Sequence, residues 1–218
     1  ALKRSLSLPM ITLYGLGTTI GAGIYVLIGK VAGSAGMHAP VSFLVAALLA
    51  GLTVFSFAEF SSRLPKSAGE AVYVHAAFQV KSLALLVGLG VMFSGLTSSA
   101  AIAHGFVGYL HEFVAAPDWL AILLLVCALG IVAAWGITES VMIAVVATVV
   151  EIGGLLVAIW AGFDSFGDLP ARLPELLPPF ESSAWSGILA GSILAFYAFI
   201  GFEDMVNVAE EVKDVRRN

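Results

Sequence analysis

Residues 15–25 read GLGTTIGAGIY and lie in the middle of the first long apolar run of the sequence. Four glycines and two threonines fill these eleven positions. Glycine inside a helix costs about 1 kcal/mol relative to alanine, so the stretch predicts an interrupted helix rather than a straight one. In lipid, the N–H and C=O groups freed by a break need protein, water or a ligand as partners. The stretch therefore indicates a binding site or, through Gly17 and Gly21 as a GxxxG pair, close packing between helices.

The composition is typical of an integral membrane protein. Of the 218 residues, 60% are hydrophobic and 11% are charged, and the mean hydropathy is +1.01. No soluble domain needs so large an apolar fraction. The single cysteine, Cys127, excludes an intramolecular disulfide. Because the sequence begins without methionine and ends on a basic run, we expect a piece of a longer protein.

Six apolar runs are long enough to cross a bilayer, which takes about 20 residues. We predict one all-α transmembrane domain over residues 1–218, with spans near 9–29, 40–60, 82–108, 119–136, 140–163 and 185–207. Eight of the ten Lys and Arg residues lie before the first span, between the second and third, or after the sixth. The positive-inside rule therefore predicts that both chain ends are cytoplasmic, and we expect the inner cell membrane.

The sixth span repeats the anomaly of the first. Its middle reads FYAFIGFED, residues 196–204, in which two carboxylates follow Gly201 almost at once. A carboxylate at the centre of a membrane helix costs about 2.5–3.5 kcal/mol on insertion scales. Glu203 is therefore a candidate functional residue, whereas Asp204 fits a helix that is leaving the lipid.

The first and sixth spans cross the membrane in opposite senses, and both are interrupted. This relation is typical of an inverted repeat whose binding site lies between the two breaks. Each second half-helix presents free N–H groups at its N-terminus, where the helix dipole favours an anion. The first half-helices end in free carbonyls, which suit a cation. Together the four ends predict a receptor for a zwitterion such as an α-amino acid.

At these residues the sequence resembles the amino acid–polyamine–organocation transporter family, most closely its bacterial branch that is similar to cationic amino acid transporters. The matching stretches are GLGTTIGAGIYVLIGKVAG at 15–33, the run at 58–74, and FYAFIGFEDMVNVAEEVKDVRRN at 196–218. The resemblance implies ten core helices in two inverted five-helix repeats. The chain would then hold the first repeat and the opening helix of the second, and would lack the C-terminal half of the transporter.

The resemblance also implies which residues hold the substrate. Backbone amides after the first break would bind the carboxylate: Gly21, Ala22, Gly23 and Ile24. Backbone carbonyls at both breaks would bind the ammonium group: Thr19, Tyr197, Ala198 and Ile200. Tyr197 would also form an aromatic gate over the substrate. Ala22 stands where many relatives have Ser or Thr, so the carboxylate would rely on backbone amides.

Glu151 lies at the centre of the fifth span, in VVATVVEIGGLL at 145–156. A carboxylic acid is cheaper to bury in lipid when it is neutral, and a group that can lose and regain its proton can carry one. The alternative is a structural acid that is hydrogen-bonded to a neighbouring helix, with Thr18 or Thr19 as candidate partners. Some proton-coupled relatives resemble this chain but have a lysine at this place, where it stands in for a sodium ion. Glu151 departs from that pattern and leaves the coupling ion open between a proton, which we expect, and sodium.

The sequence thus predicts an amino acid permease that works by alternating access, in proton-coupled symport or in exchange. A channel is the alternative, because broken helices also line pores. The sequence has no HExxH motif, no GxSxG motif and no Cys/His cluster. We therefore expect no enzyme activity, no cofactor and no bound metal. The expected partners are the amino acid, the bilayer, the coupling ion and the missing half, with no nucleic acid.

Overall fold

The computed structural model describes residues 4–67 and 69–215, apart from the side chain of Ala22. Three basic residues used for the predicted orientation lie outside the described residues: Lys3, Arg216 and Arg217. Nine α-helices and three short 3₁₀ helices form the described part, and its one β-bridge pairs Leu6 with Val212.

Six helices correspond to the six predicted spans: α1 (Leu8–Ala35), α2 (Ala39–Arg63), α4 (Lys81–Leu110), α5 (Asp118–Trp135), α6 (Ile137–Ala161) and α8 (Ser182–Phe199). Three shorter helices lie between or after them: α3 (Gly69–Phe78), α7 (Leu169–Leu176) and α9 (Asp204–Asn207). The 3₁₀ helices are Gly36–His38, Phe163–Asp168 and Ala209–Glu211.

Five helical stretches of the described chain are long and apolar enough to cross a membrane. The first of them, Leu8–Arg63, is 56 residues long and contains both α1 and α2. The other four are Lys81–Leu110, Asp118–Trp135, Ile137–Ala161 and Ser182–Asn207. The all-helical membrane fold is therefore confirmed, whereas six separate crossings and an inverted repeat stay predictions.

The contacts divide the chain into two compact units. The first unit contains the described parts of residues 1–12, 57–143 and 203–218, and the second contains residues 13–56 and 144–202. The boundary passes through both helices that the sequence predicts to be interrupted. A single transmembrane domain over residues 1–218 stays a prediction.

In the first unit, the two ends of the described chain are joined by backbone hydrogen bonds. The amides of Ser5 and Leu6 donate to the carbonyl of Glu211 at 3.0 and 3.1 Å, and the amide of Lys213 donates to the carbonyl of Leu6 at 2.9 Å. The side chain of Leu6 is fully buried, and Val212 is buried beside it. We call this paired segment the terminal clasp. The sequence carries no local signal for it.

In the second unit, α2 and α8 approach closely through small residues. Val31, Ala46 and Ala195 form a buried cluster, with Phe43 and Phe196 packed against it. The hydroxyl of buried Ser42 donates to the carbonyl of Ile188 in α8 at 3.0 Å. Small residues allow two membrane helices to approach until such backbone contacts form. This packing joins α8 to α2 along the buried side of α8.

Candidate functional site

Helix α1 is interrupted at Gly21, inside the stretch for which the sequence predicts a break. Gly21 has φ 20° and ψ −163°, whereas an α-helical residue has φ near −63° and ψ near −42°. A side chain at Gly21 would meet no atom within 4 Å, so only the backbone conformation requires glycine there. The break therefore borders open space rather than a packed helix surface.

Helix α8 ends at Phe199, and helical structure resumes at Asp204. Ile200 is extended, with φ −66° and ψ 134°, and Gly201 has φ 138°. A side chain at Gly201 would overlap the carbonyl oxygen of Thr18. The second predicted interruption is thus also observed, and its glycine allows the backbones of the two interrupted helices to touch.

A second contact joins the two helices on the other side of the first break. A Cβ atom at Gly23 would lie 2.7 Å from the Cα atom of Ala198 and 3.2 Å from its Cβ atom. With the contact between Gly201 and Thr18, the end of α8 is fixed against both flanks of the break in α1. The structure therefore brings the residues of the two predicted backbone sites into one place within the second unit.

The polar groups at this place are only partly satisfied. An α-helix leaves four N–H groups at its start without intrahelical partners, and with Gly21 as the residue that precedes the half-helix these belong to residues 21–24. The carbonyl of Tyr197 accepts a hydrogen bond from the amide of Ile200 at 3.2 Å. The buried Tyr197 hydroxyl has no hydrogen-bond partner within the described chain.

The glycines of the first stretch have different roles in the structure. A side chain at Gly17 would overlap the hydroxyl of Thr148, which is 1% exposed on α6. Gly17 and Gly23 therefore serve close helix packing, while Gly21 interrupts the helix beside open space. The packing alternative from the sequence paired Gly17 with Gly21, and the structure shows a helix contact at Gly17 and none at Gly21.

Glu151 lies on α6, and the phenolic hydroxyl of Tyr25 donates to its backbone carbonyl at 2.6 Å. A Cβ atom at Gly154, one turn later, would lie 3.0 Å from the same hydroxyl oxygen. The hydroxyl of Thr18, a candidate partner for the Glu151 side chain, instead donates to the carbonyl of Gly15 at 3.1 Å. Tyr25 thus ties α6 to the half-helix of α1 that follows the break, a contact that the sequence analysis missed.

Glu203 belongs to the first unit, where it lies in the electrostatic field of Glu70 on α3. Burial raises the pKa of the Glu70 carboxyl above its ordinary value of 4.5, and the negative charge of Glu203 raises it further. The structure therefore places the two predicted coupling residues in different units, Glu151 in the second and Glu203 in the first. A role for either in ion coupling stays a prediction.

These features define a polytopic helical membrane protein in which two interrupted helices meet at their breaks. A family model described as amino acid permease matches residues 6–218, and the chain belongs to that family. This membership confirms the resemblance inferred from the glycine stretch and the sixth span.

Named relatives match the chain over almost its whole length. The vacuolar cationic amino acid transporter 2 of Arabidopsis thaliana is 32% identical, with 100% of this chain and 37% of the relative covered. The methylthioribose transporter of Bacillus subtilis (strain 168) is 30% identical, with 100% of this chain and 50% of the relative covered. The branched-chain amino acid permease BcaP of the same organism is 29% identical, with 98% of this chain and 49% of the relative covered. The chain thus spans half or less of the length of these relatives. No solved structure matches it.

Proposed function

We propose that this chain is the N-terminal half of an amino acid permease and contributes both interrupted helices of its substrate site. The observation that carries the proposal is the contact between the two breaks, through Gly23 with Ala198 and Gly201 with Thr18. Interrupted helices whose broken ends meet offer free amides and free carbonyls in one place, and such ends bind substrates in secondary transporters. Membership of the amino acid permease family supports the same conclusion.

The substrate carboxylate would bind at the N-terminus of the half-helix that follows Gly21, through the amides of Gly21, Ala22, Gly23 and Ile24. Unpaired N–H groups and the positive end of the helix dipole both favour an anion there. The ammonium group would bind carbonyls at the opposite ends, those of Thr19, Tyr197, Ala198 and Ile200. A site that binds the carboxylate on one helix and the ammonium group on two helix ends selects the α-amino acid backbone. The side chain of the substrate would then be recognised by other residues.

Tyr197 is the proposed gate. Its ring lies on the last turn of α8, and its buried hydroxyl lacks a partner in the described chain. A buried hydroxyl without a hydrogen bond is costly, so a bound substrate or water that satisfies it would be favoured. The gate would close over the substrate when this hydroxyl gains its partner.

Contacts within each unit support the proposed orientation and number of crossings. The terminal clasp joins Leu6 to Val212, which supports both chain ends lying on one side of the membrane. In the second unit, the connection Gly36–His38 contacts α7, which supports these two connections lying at one level. Ends on one side require an even number of crossings, so we propose that α1 and α2 cross separately and that there are six crossings. The positive-inside rule then makes the ends cytoplasmic.

We further propose that transport needs the rest of the transporter, because the wall of the cavity opposite α1 and α8 would come from a second inverted repeat. The chain spans only 37% to 50% of the three relatives named above. Liposomes that contain only residues 1–218 should therefore take up no amino acid, while the intact protein should. Saturable uptake by the 218 residues alone would refute this requirement.

Coupling to an ion is assigned to Glu151 and Glu203, with a proton as the ion and sodium as the alternative. Glu151 lies on the helix that Tyr25 ties to the half-helix after the first break, so a shift of that helix on protonation would act on the substrate site. Glu203 follows the second break directly. Alternating access, by symport or by exchange, is the mechanism that such a pair of interrupted helices supports.

The proposal is tested by the thermal unfolding of the purified intact protein with ligands that differ in one charged group. A ligand that binds only the folded state raises the apparent stability by RT ln(1 + [L]/Kd). An amino acid that stabilises the protein should lose this effect when it is replaced by its amide, which lacks the carboxylate. The 2-hydroxy acid, which lacks the ammonium group, should fail equally. Equal stabilisation by the amide or by the hydroxy acid would contradict a zwitterion site.

A further inference from the structure

The connection between α6 and α8 carries an exposed apolar stripe on a short helix. Leu169 and Leu173 lie one turn apart on α7, and Leu177 follows the helix on the same side. Their exposed fractions are 40%, 51% and 72%. Arg172 and Glu175 form an ion pair at 3.3 Å; helical geometry places Glu175 opposite the stripe, while Arg172 lies at its edge and lines the same cavity as Leu169. The helix is therefore amphipathic, with one apolar and one charged side.

Contacts within the second unit fix the level of α7. Met37, in the connection between α1 and α2, lines a cavity of about 210 Å³ together with Leu169 and Leu176. Because that connection joins two helices of spanning length, α7 lies beside the ends of these helices rather than far out in solvent. The length of the connection also limits how far α7 can lie from the helix ends, since α6 ends at Ala161 and α8 begins at Ser182.

Aromatic residues mark the same level on both sides of α7. Trp160 is 76% exposed at the end of α6, and Trp185 is partly exposed in the first turn of α8. Indole rings favour the headgroup level of a bilayer. Phe163 and Phe180, at the two ends of the connection, are also highly exposed. The apolar surface of the connection thus continues the apolar surfaces of the two helices that it joins.

We propose that residues 163–180 form an interfacial segment whose occupant is the lipid bilayer. The more exposed side chains of the stripe, Leu173 and Leu177, face the acyl chains, Leu169 forms its edge against the cavity with Met37, and Glu175 with its partner Arg172 faces water. An amphipathic helix lies in the plane of the interface with its apolar side in the boundary between headgroups and acyl chains. The segment carries three carboxylates, Asp164, Asp168 and Glu175, and one basic side chain, Arg172. Zwitterionic lipid is therefore sufficient to bind the segment, and anionic lipid should not strengthen this binding.

The experiment uses the intact protein with Cys127→Ser, reconstituted into phosphatidylcholine vesicles. A single cysteine replaces Leu173 on the stripe or Ala171 on the opposite side of α7, and each carries a nitroxide label. Power saturation then compares the accessibility of the label to oxygen, which concentrates in lipid, and to a water-soluble nickel chelate. The label at 173 should have a several-fold higher ratio of oxygen to nickel accessibility than the label at 171. Leu177→Cys repeats the measurement on the stripe, and Ala171 is its matched control.

Two outcomes would overturn the proposal. Equal, high nickel accessibility at positions 171, 173 and 177 would show a connection that lies in water. Low accessibility to both reagents at 173 and 177 would show a stripe covered by protein, either the remaining half of the transporter or a second copy of the chain. The expected ratio should also be unchanged when phosphatidylglycerol is added, because the charged groups of the segment do not attract anionic lipid.

Discussion

Replacing Gly21 by alanine is the perturbation that separates the break in α1 from the packing around it. The structure leaves open space where the new methyl group would stand, so alanine introduces no steric overlap. It does introduce backbone strain, because residues with a Cβ atom rarely adopt φ 20° with ψ −163°. Residues held in such sparsely populated conformations cost about 1–3 kcal/mol.

The strain acts only while the helix is interrupted, so alanine favours conformations in which the break is lost. If only the interrupted conformation binds substrate, the apparent affinity falls with the fraction of protein that adopts it. A strain of about 1–3 kcal/mol then corresponds to a loss of affinity of about 5-fold to about 150-fold. We expect this loss for every substrate, because the carboxylate site is common to all of them.

The assay is equilibrium binding of a radiolabelled amino acid to the intact protein in detergent, corrected for the folded fraction. Gly29→Ala is the matched control, because Gly29 lies in α1, has a regular conformation and borders open space. Gly17→Ala is the packing control. It should lower the melting temperature through its overlap with Thr148, with little change in the affinity of the folded fraction. Unchanged affinity in Gly21→Ala would refute a binding site at the break.

Three further predictions concern the clasp and the carboxylates. Leu6→Ala should lower the free energy of unfolding by about 2–5 kcal/mol in denaturant titrations, because removing the buried leucine side chain leaves a cavity. Leu8 is half-exposed, so Leu8→Ala should lower the free energy of unfolding much less. The raised pKa of Glu70 means that the folded protein holds this proton more tightly than the unfolded chain, so the stability of the fold falls as pH rises above 4.5. Glu70→Gln should therefore raise the melting temperature at neutral pH and leave it unchanged well below pH 4.5. An equal rise of the melting temperature at both pH values would exclude the titration of Glu70 as its cause. Glu151→Gln should preserve substrate exchange but abolish uptake driven by a pH gradient, since an amide cannot release a proton, and retained accumulation would mark Glu151 as structural.

The sequence was sufficient to locate both interruptions because they arise from local backbone preferences. Gly21 and Gly201 adopt conformations that other residues avoid, and each stands in an apolar run that would otherwise form a continuous helix. Helix ends were less accurate. Helix α1 continues past Lys30 to Ala35, beyond the predicted end at residue 29, because a lysine near a helix end can extend its amine to the interface.

The contacts around the breaks could not be predicted, because each joins residues that are distant in the sequence. The packing of Gly23 against α8 depends on Ala198, which lies far along the sequence, and its amide stays a predicted ligand of the carboxylate. Tyr25 and Glu151 are 126 residues apart, and nothing local marks a tyrosine whose partner is a backbone carbonyl. The terminal clasp pairs the two ends of the described chain, where the sequence has neither alternation nor a turn signal.

The most direct test of the central claim is an experimental structure of the intact protein with a bound amino acid that stabilises it. We predict that the substrate carboxylate lies within hydrogen-bond distance of the amides after Gly21, about 2.7–3.2 Å from at least two of them. The ammonium group should contact carbonyls at the end of α8, near Ala198 and Ile200, under the ring of Tyr197. A substrate bound elsewhere, or an uninterrupted α1 in the complex, would contradict the claim.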